Sequence, residues 1–326
     1  MSNPSIRVLV TGASGFVGGA LCAHLRSHPN MRVRAAVRTA THQVLGTDDP
    51  AQVLVSALDA GTDWTDALDG IDVVVHCAAR VHVMKESVRD PMAEFRRVNV
   101  EGTLQLARQA QAAGVKRFVL VSSIKVNGES TLPGRPFLAD DLPHPADPYG
   151  LSKLEAEQGL LRLAKDDAME VVIVRPVLVY GPGVKANFLA MMRWLDRGIP
   201  VPLGAIVHNR RSMVAIANLV DLLTTCMVHP AAAGQVFLAA DGEDLSTTEL
   251  LRRVAKALDR PARLLPLPYT WLEAAARMLG RPGVAQRLCG SLQADITKNR
   301  TVLGWSPTIS VDAALARTAA HYRRDT

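Results

Sequence analysis

Residues 6–18 read IRVLVTGASGFVG, and this stretch decides the fold. Ile6–Val10 is a short β-branched apolar run of the kind that forms a buried strand. It passes directly into Gly12, Gly15 and Gly18 at G-x-x-G-x-x-G spacing, and an amphipathic helical pattern follows until Pro29. Glycine at the first position permits a tight turn. At the second it lets backbone approach a pyrophosphate, and at the third it lets the helix pack closely on the strand. Free N–H groups and the dipole at the helix N-terminus favour negative charge there. Gly12, Ser14, Gly15, Phe16, Val17 and Gly18 are therefore expected to cradle the phosphates of a dinucleotide.

Working outward, the same rhythm repeats. Apolar runs at Val33–Val37, Val53–Leu58, Val73–His76, Phe118–Ser122 and Val171–Arg175 alternate with helical stretches at Ala93–Ala113 and Ser152–Asp166. Near-continuous apolar strands separated by helices predict an α/β fold, a Rossmann-type doubly wound parallel sheet with ligands at the carboxyl ends of its strands. After about residue 177 Pro and Gly become frequent and the alternation loosens. Val214–Val228 is expected to add one more helix to the sheet and Gln235–Ala239 one more strand. The expected organisation is a dinucleotide-binding domain over residues 1–177, rejoined by 209–240, and a smaller C-terminal substrate-binding portion within 178–326. Thr247–Leu258 and Trp271–Leu279 are its expected helices.

Composition narrows the function classes. The net charge of +6 is modest and is not gathered into a basic tract, so nucleic acid is not the expected partner. Cys22, Cys77, Cys226 and Cys289 are widely spaced, with neither a CxxC pair nor histidines at ligand spacing. Reduced core cysteines and no metal site are expected. No stretch reaches the ~20 apolar residues that span a bilayer, and the N-terminus lacks a signal-peptide pattern, so a cytoplasmic protein is expected.

The second strand ends Ala36-Val37-Arg38-Thr39, without the acidic residue that binds the ribose of NAD. Arg38 can pair with a 2′-phosphate and stack on adenine, which favours NADP(H) while leaving NAD(H) open. Asp59, after the third strand, is positioned to accept from the adenine amino group or to cap its own turn.

Tyr149-Gly150-Leu151-Ser152-Lys153 places a phenol and an ammonium one turn apart on a helix beginning near Pro148. A free tyrosine has a pKa near ~10, and a nearby ammonium is expected to lower it. Such a phenol can pass a proton to or from a carbonyl while a nicotinamide exchanges the hydride. Lys153 can also reach the nicotinamide ribose. About 25 residues earlier the strand Phe118–Ser122 ends in hydroxyls. Ser123 is expected to hold the substrate oxygen, with one of Ser122 and Ser123 serving only as a strand-end cap.

The stretches VTGASGFVGG, VVHCAAR, NVEGT, VSSIKVNGE, DPYGLSK, VVIVRPVLVYGPGV and LGWSP span nearly the whole chain. Together they resemble the extended short-chain dehydrogenase/reductase family, in its nucleotide-sugar epimerase/dehydratase/reductase branch. The resemblance implies a Ser123–Tyr149–Lys153 triad and a homodimer. It also implies a cofactor wall of His76, Ala78, Ala79 and Asn99, with Val177 at the nicotinamide edge. It further implies a UDP-sugar held by Asn187 and Phe188 and by Arg211, with Arg210 the competing arginine of the pair, and by Lys125. The family's Arg-x-Gly-Asp element is replaced by Gln286-Arg287-Leu288-Cys289, which leaves Arg287 as the remaining contact there. The usual aromatic of the VYG turn is Asn127.

HCAARVHVMKE, SSIKVNGE, GVKANF and NRRS are similar to a narrower bacterial O-antigen group. That group reduces UDP-4-keto-6-deoxy-N-acetylhexosamines at C4, giving products of the UDP-N-acetylquinovosamine type, and is often labelled 4-epimerase-like. A net reductase exchanges its spent cofactor each cycle, which suits NADPH and Arg38. A UDP-sugar 4-epimerase would use the same triad. A dehydratase is disfavoured because Ile124-Lys125 stands where the resemblance implies an Asp-Glu pair. A non-catalytic dinucleotide sensor would have no need of Tyr149 and Lys153.

Overall fold

The computed structural model describes residues 5–39, 52–81, 90–132, 134–164, 169–278 and 289–324. Seven strands form one parallel sheet: β1 (Ile6–Thr11), β2 (Met31–Val37), β3 (Gln52–Leu54), β4 (Val73–His76), β5 (Arg117–Val121), β6 (Glu170–Pro176) and β9 (Val236–Ala239). Their order is β3-β2-β1-β4-β5-β6-β9. The chain runs outward from β1 through β3, then returns to lay β4 on the other side of β1. The crevice for a ligand in such a sheet lies at that reversal, outside the carboxyl ends of β1 and β4. There Thr11 and His76 are register partners.

Side-chain alternation explains why both faces are covered. Val8 and Val10 point into one core with Leu21, Cys22 and Leu25 of the helix Phe16–Ser27, and with Leu219, Leu222 and Leu223 of the helix Ile216–Val228. Leu9 points the other way, among Val74, Phe118, Leu120, Leu106 and Leu160. Each fully buried Leu or Val side chain contributes about 1.5–3 kcal/mol relative to exposure. The near-continuous apolar strands are the price of a sheet buried on both sides.

A second sheet joins β7 (Leu178–Tyr180), β8 (Arg211–Ala215) and β10 (Asp244–Leu245), with β8 parallel to β7 and antiparallel to β10. It carries its own core, in which Tyr180, Phe188, Met192 and Leu195 pack with Leu251, Val254 and Leu315. The helix expected from Val214 begins instead at Ile216, because Val214 and Ala215 pair with Val179 and Tyr180 in the ladder. Beyond this portion Ile296, Leu303 and Trp305 rejoin the core of the main sheet. The expected helix Ala93–Ala113 is also not uniform. A π-helical turn, Arg96–Glu101, interrupts it between Pro91–Phe95 and Gly102–Ala112. No helix among the described residues is long and apolar enough to cross a membrane.

Candidate active site

The glycine loop is shaped by what it excludes. Gly12 has φ +65°, and a Cβ there would stand 2.7 Å from the Ala78 nitrogen. A Cβ on Gly18 would stand 2.3 Å from the Gly12 carbonyl oxygen, so the helix packs on the loop itself. The helix Phe16–Ser27 starts at Gly15 with no side-chain cap and no acidic residue in its first turn. Ser14 and Gly15 are exposed, whereas Phe16 and Val17 are half-buried against the core. A bare helix N-terminus next to a glycine turn without side chains fits the pyrophosphate of a dinucleotide.

Beside it, one chain of hydrogen bonds runs beneath the crevice. The Thr11 hydroxyl meets His76 Nδ1 at 2.7 Å, and His76 Nε2 meets the Thr103 hydroxyl at 3.0 Å. Thr103 donates to the Asn99 carbonyl at 2.7 Å. The Asn99 amide donates to Ser152 Oγ at 2.9 Å, and Ser152 donates to the Tyr149 carbonyl at 2.8 Å. Burial, with the Lys153 charge adding to it, pulls the His76 pKa down to about 3, so the ring is neutral. Asn99 also clamps Arg80 through both backbone groups, which fixes the turn holding the half-buried Ala78 and Ala79. Its amide is thus spent on protein, and it supports the cofactor wall from behind.

Around the rim, Arg38 is exposed at the end of β2, with no acidic neighbour in Val37-Arg38-Thr39. Asp59 accepts from the Gly61 amide at 3.0 Å and pairs with Arg97 at 3.1 Å, so much of its acceptor capacity is used. Val177 is buried just past β6, its amide bonded to the Ala239 carbonyl.

Tyr149 owes its position to the start of its helix, Pro148–Leu163. Asp147 caps it, accepting from the Gly150 amide at 2.7 Å, and Pro148 at the first position lacks the N–H that would be orphaned anyway. Lys153 follows one turn later and is fully buried. The Tyr149 ring lies 6.1 Å from that of Phe95, and its hydroxyl is hydrogen-bonded to Ser123. The expectation that the ammonium would acidify the phenol does not hold in the protein without its ligands. Burial pushes Tyr149 up to about 12, the Ser123 bond opposes this, and the Asp147 charge adds to the rise. Burial likewise lowers Lys153 to about 8, against the Glu157 and Cys77 charges.

The two serines divide their work. Ser122 is buried and bonded to Glu157, which forms a buried ion pair with Arg175 at 2.6 Å. Arg175 also donates to Asn127 at 3.0 Å, and Asn127 to the Leu138 carbonyl. Ser122 and Asn127 are therefore struts, and Ser123 faces the tyrosine.

Two residues expected at the sugar make other contacts within the fold. Phe188 is buried and stacked on Tyr180 with centroids 5.6 Å apart, because the small core needs an aromatic there. Lys125 is tied to Asp147 and, at 3.2 Å, to Glu129. Asn187 is exposed in the first turn of the helix Ala186–Asp196, which Ala186 enters at φ +53°. Arg211 is the half-buried arginine and donates to the Gly290 carbonyl at 3.1 Å, whereas Arg210 is exposed. Arg287 lies outside the described residues. The segment around Leu292 bonds to Arg210 and Ser212 on one side, and to Thr131 and Phe137 on the other. It thereby joins the two lobes across the crevice. Among the described residues no cluster of three His, Cys, Asp or Glu side chains could hold a metal.

Fold and site together define a dinucleotide-dependent oxidoreductase. The chain matches the NAD dependent epimerase/dehydratase family over residues 8–240 and belongs to it. It is 48% identical over 312 residues to a UDP-glucose 4-epimerase of Vibrio cholerae, covering 96% of this chain and 94% of the relative. It is 30% identical to a UDP-glucose 4-epimerase of Mycolicibacterium smegmatis over 98% of this chain and 99% of that one. Among solved structures, MoeE5 in complex with UDP-glucose and NAD superposes with a TM-score of 0.76 at 26% identity, covering 98% of this chain and 99% of that one.

Proposed function

We propose that the chain reduces the C4 ketone of a UDP-linked 6-deoxy-N-acetylhexosamine with NADPH, yielding a product of the UDP-N-acetylquinovosamine type for bacterial polysaccharide. The observation that carries this reading is Arg38, exposed at the end of β2 where an NAD site has its acid, together with Tyr149 buried as a neutral phenol. A neutral phenol is equipped to give a proton to a developing C4 alkoxide, which is the requirement of reduction. Ser123 holds the C4 oxygen beside it, and Lys153 takes the nicotinamide ribose. Arg211 and Asn187 hold the diphosphate. Ser14, Gly15 and the N-terminus of the helix Phe16–Ser27 would seat the dinucleotide, which supplies the hydride when bound. Arg38, flanked by Val37 and Thr39 at the end of β2, supports a 2′-phosphate.

A second reading, 4-epimerisation of a UDP-hexose with retained NAD, is favoured by the names of the two 4-epimerase relatives. It uses the same residues but begins with oxidation, which needs Tyr149 as base. Purified protein mixed with NADPH and UDP-4-keto-6-deoxy-GlcNAc distinguishes them. Stoichiometric loss of the reduced nicotinamide absorbance supports the reductase. Interconversion of UDP-glucose or UDP-GlcNAc without added reductant, with the ketone left untouched, overturns it in favour of the epimerase.

A further inference from the structure

Lys125 stands two residues beyond Ser123, on the short 3-10 turn Ile124–Val126. Its ammonium does not reach toward an open sugar site. It closes on the Asp147 carboxylate, with Glu129 as a second partner at 3.2 Å. Asp147 is mostly buried, with 15% of its side chain exposed, and its two oxygens have separate duties. One caps the helix of Tyr149 through the Gly150 amide, and the other meets Lys125. The backbone is equally close, since a Cβ on Gly150 would stand 2.8 Å from the Lys125 carbonyl oxygen. Ser123 also accepts from the Lys125 amide at 3.3 Å. The turn bearing the hydroxyl and the helix bearing the phenol are therefore fastened at one point.

That point carries a charge problem. A carboxylate two residues from Tyr149 disfavours the phenolate, and any proton transfer through the tyrosine passes through or toward that form. Among the described residues the other ionisable groups near the phenol are few. Lys153 lies one turn along the same helix. From the Pro91–Glu101 segment the neighbour is the uncharged Phe95 ring, with Arg80 over that ring at 5.9 Å from the centroid. Arg96 is neutralised by Glu155 at 2.7 Å, and Glu129 is half exposed on the Lys125 loop.

We propose that Lys125 is a charge-balancing, positioning residue: by holding Asp147 in an ion pair at the start of Tyr149's helix, it offsets the cap's negative charge at the phenol and fixes Ser123 against it. This rests on Tyr149 being the acid/base of the reaction. The same residue thus sets the proton-transfer range and the geometry of the Ser–Tyr pair, without touching the sugar.

The test is the pH dependence of single-turnover hydride transfer, read from the nicotinamide absorbance, with the Tyr149-dependent limb identified by its absence in Tyr149→Phe. Lys125→Met is expected to move that limb to higher pH by about one unit, the scale of an uncompensated neighbouring charge. Asp147→Asn keeps a capping side chain but loses the charge, and is expected to move the limb to lower pH. The double variant should lie near wild type, and Lys125→Arg should be indistinguishable from it. A limb that stays in place in Lys125→Met, whatever happens to KM or melting temperature, overturns the inference. Should Lys125→Met fail to fold, an unmoved limb in Asp147→Asn does the same. Wild-type turnover by Tyr149→Phe would sink the assignment of the tyrosine and this inference with it, whereas a dead Tyr149→Phe beside an unmoved limb sinks this inference alone.

Discussion

The two walls of the crevice are made of different material. The dinucleotide wall is backbone: a glycine loop and a bare helix N-terminus drawn from one run, Ile6–Gly18, and packed where a single added Cβ would collide with main chain. The wall proposed for the sugar nucleotide is side chains gathered from afar, with Asn187 from a helix of the small core and Arg211 from β8. The partner of Arg211 is just as remote, at Gly290. A wall of backbone admits one ligand geometry and tolerates little. A wall of side chains can change its ligand by exchanging residues while the fold stays in place.

Substitutions at the seam and on each wall separate these properties. The largest effect is expected where the walls meet. Tyr149→Phe should lower turnover by about 10²–10⁴-fold, the usual contribution of a positioned acid/base, with dinucleotide affinity retained in a fluorescence titration. On the backbone wall, Gly18→Ala drives a methyl into the Gly12 carbonyl and should cost about 1–3 kcal/mol by denaturant unfolding. It should also abolish dinucleotide binding by calorimetry. If affinity survives, the loop is not the rigid cradle described. On the side-chain wall, Arg211→Ala should leave the fold and dinucleotide affinity intact and raise KM for the sugar nucleotide roughly 10–100-fold, the value of a charge-assisted hydrogen bond. Equal effects on both ligands would erase the distinction between the walls.

The smallest effect concerns stability alone. Burial depresses Lys153 to about 8, below its ordinary value, so folding disfavours the ammonium. The unfolded chain then binds more protons between about pH 8 and the ordinary lysine range near ~10.4, and this residue makes stability rise across that window. Lys153→Met should therefore raise the melting temperature of the ligand-free protein at neutral pH while removing activity. A lower melting temperature would mean that the ammonium is stabilised by its surroundings.

The same contrast explains what could be read from residues alone. The parallel sheet was legible because Val8, Leu9 and Val10 need apolar partners on both faces, which writes a continuous apolar run. The glycine loop was legible because its glycines answer local backbone demands. The Tyr149–Lys153 spacing is likewise local, one helical turn. The contacts of Phe188 and Lys125 within the fold were not legible because their partners, Tyr180 and Asp147, sit 8 and 22 residues away and are chosen by packing. Nothing in 96–101 announces a π turn, although Asn99 depends on it for its aim. Ser122 and Ser123 look alike in sequence, and only the buried Glu157 and the phenol tell them apart. Pro148 marked the start of the helix, but the Asp147 cap just before it was a missed signal in plain sight.

The hydrogen-bond chain beneath the crevice has a direction that its distances alone do not reveal. Thr103 spends its only hydroxyl proton on the Asn99 carbonyl, so at His76 it can only receive. The imidazole must then carry its hydrogen on Nε2 and present a bare Nδ1, to which Thr11 gives its own hydrogen. The Thr11 oxygen is left free to accept from the Ala78 amide at 3.3 Å. Every hydrogen is committed, and none is spare. The row is a one-way street: reversing any member forces the whole row to turn, and protonating the ring would set two donors face to face. Nitrogen resonances of His76 should accordingly report a single tautomer across the working pH range, a registration mark that keeps the nucleotide loop and the tyrosine helix in fixed alignment.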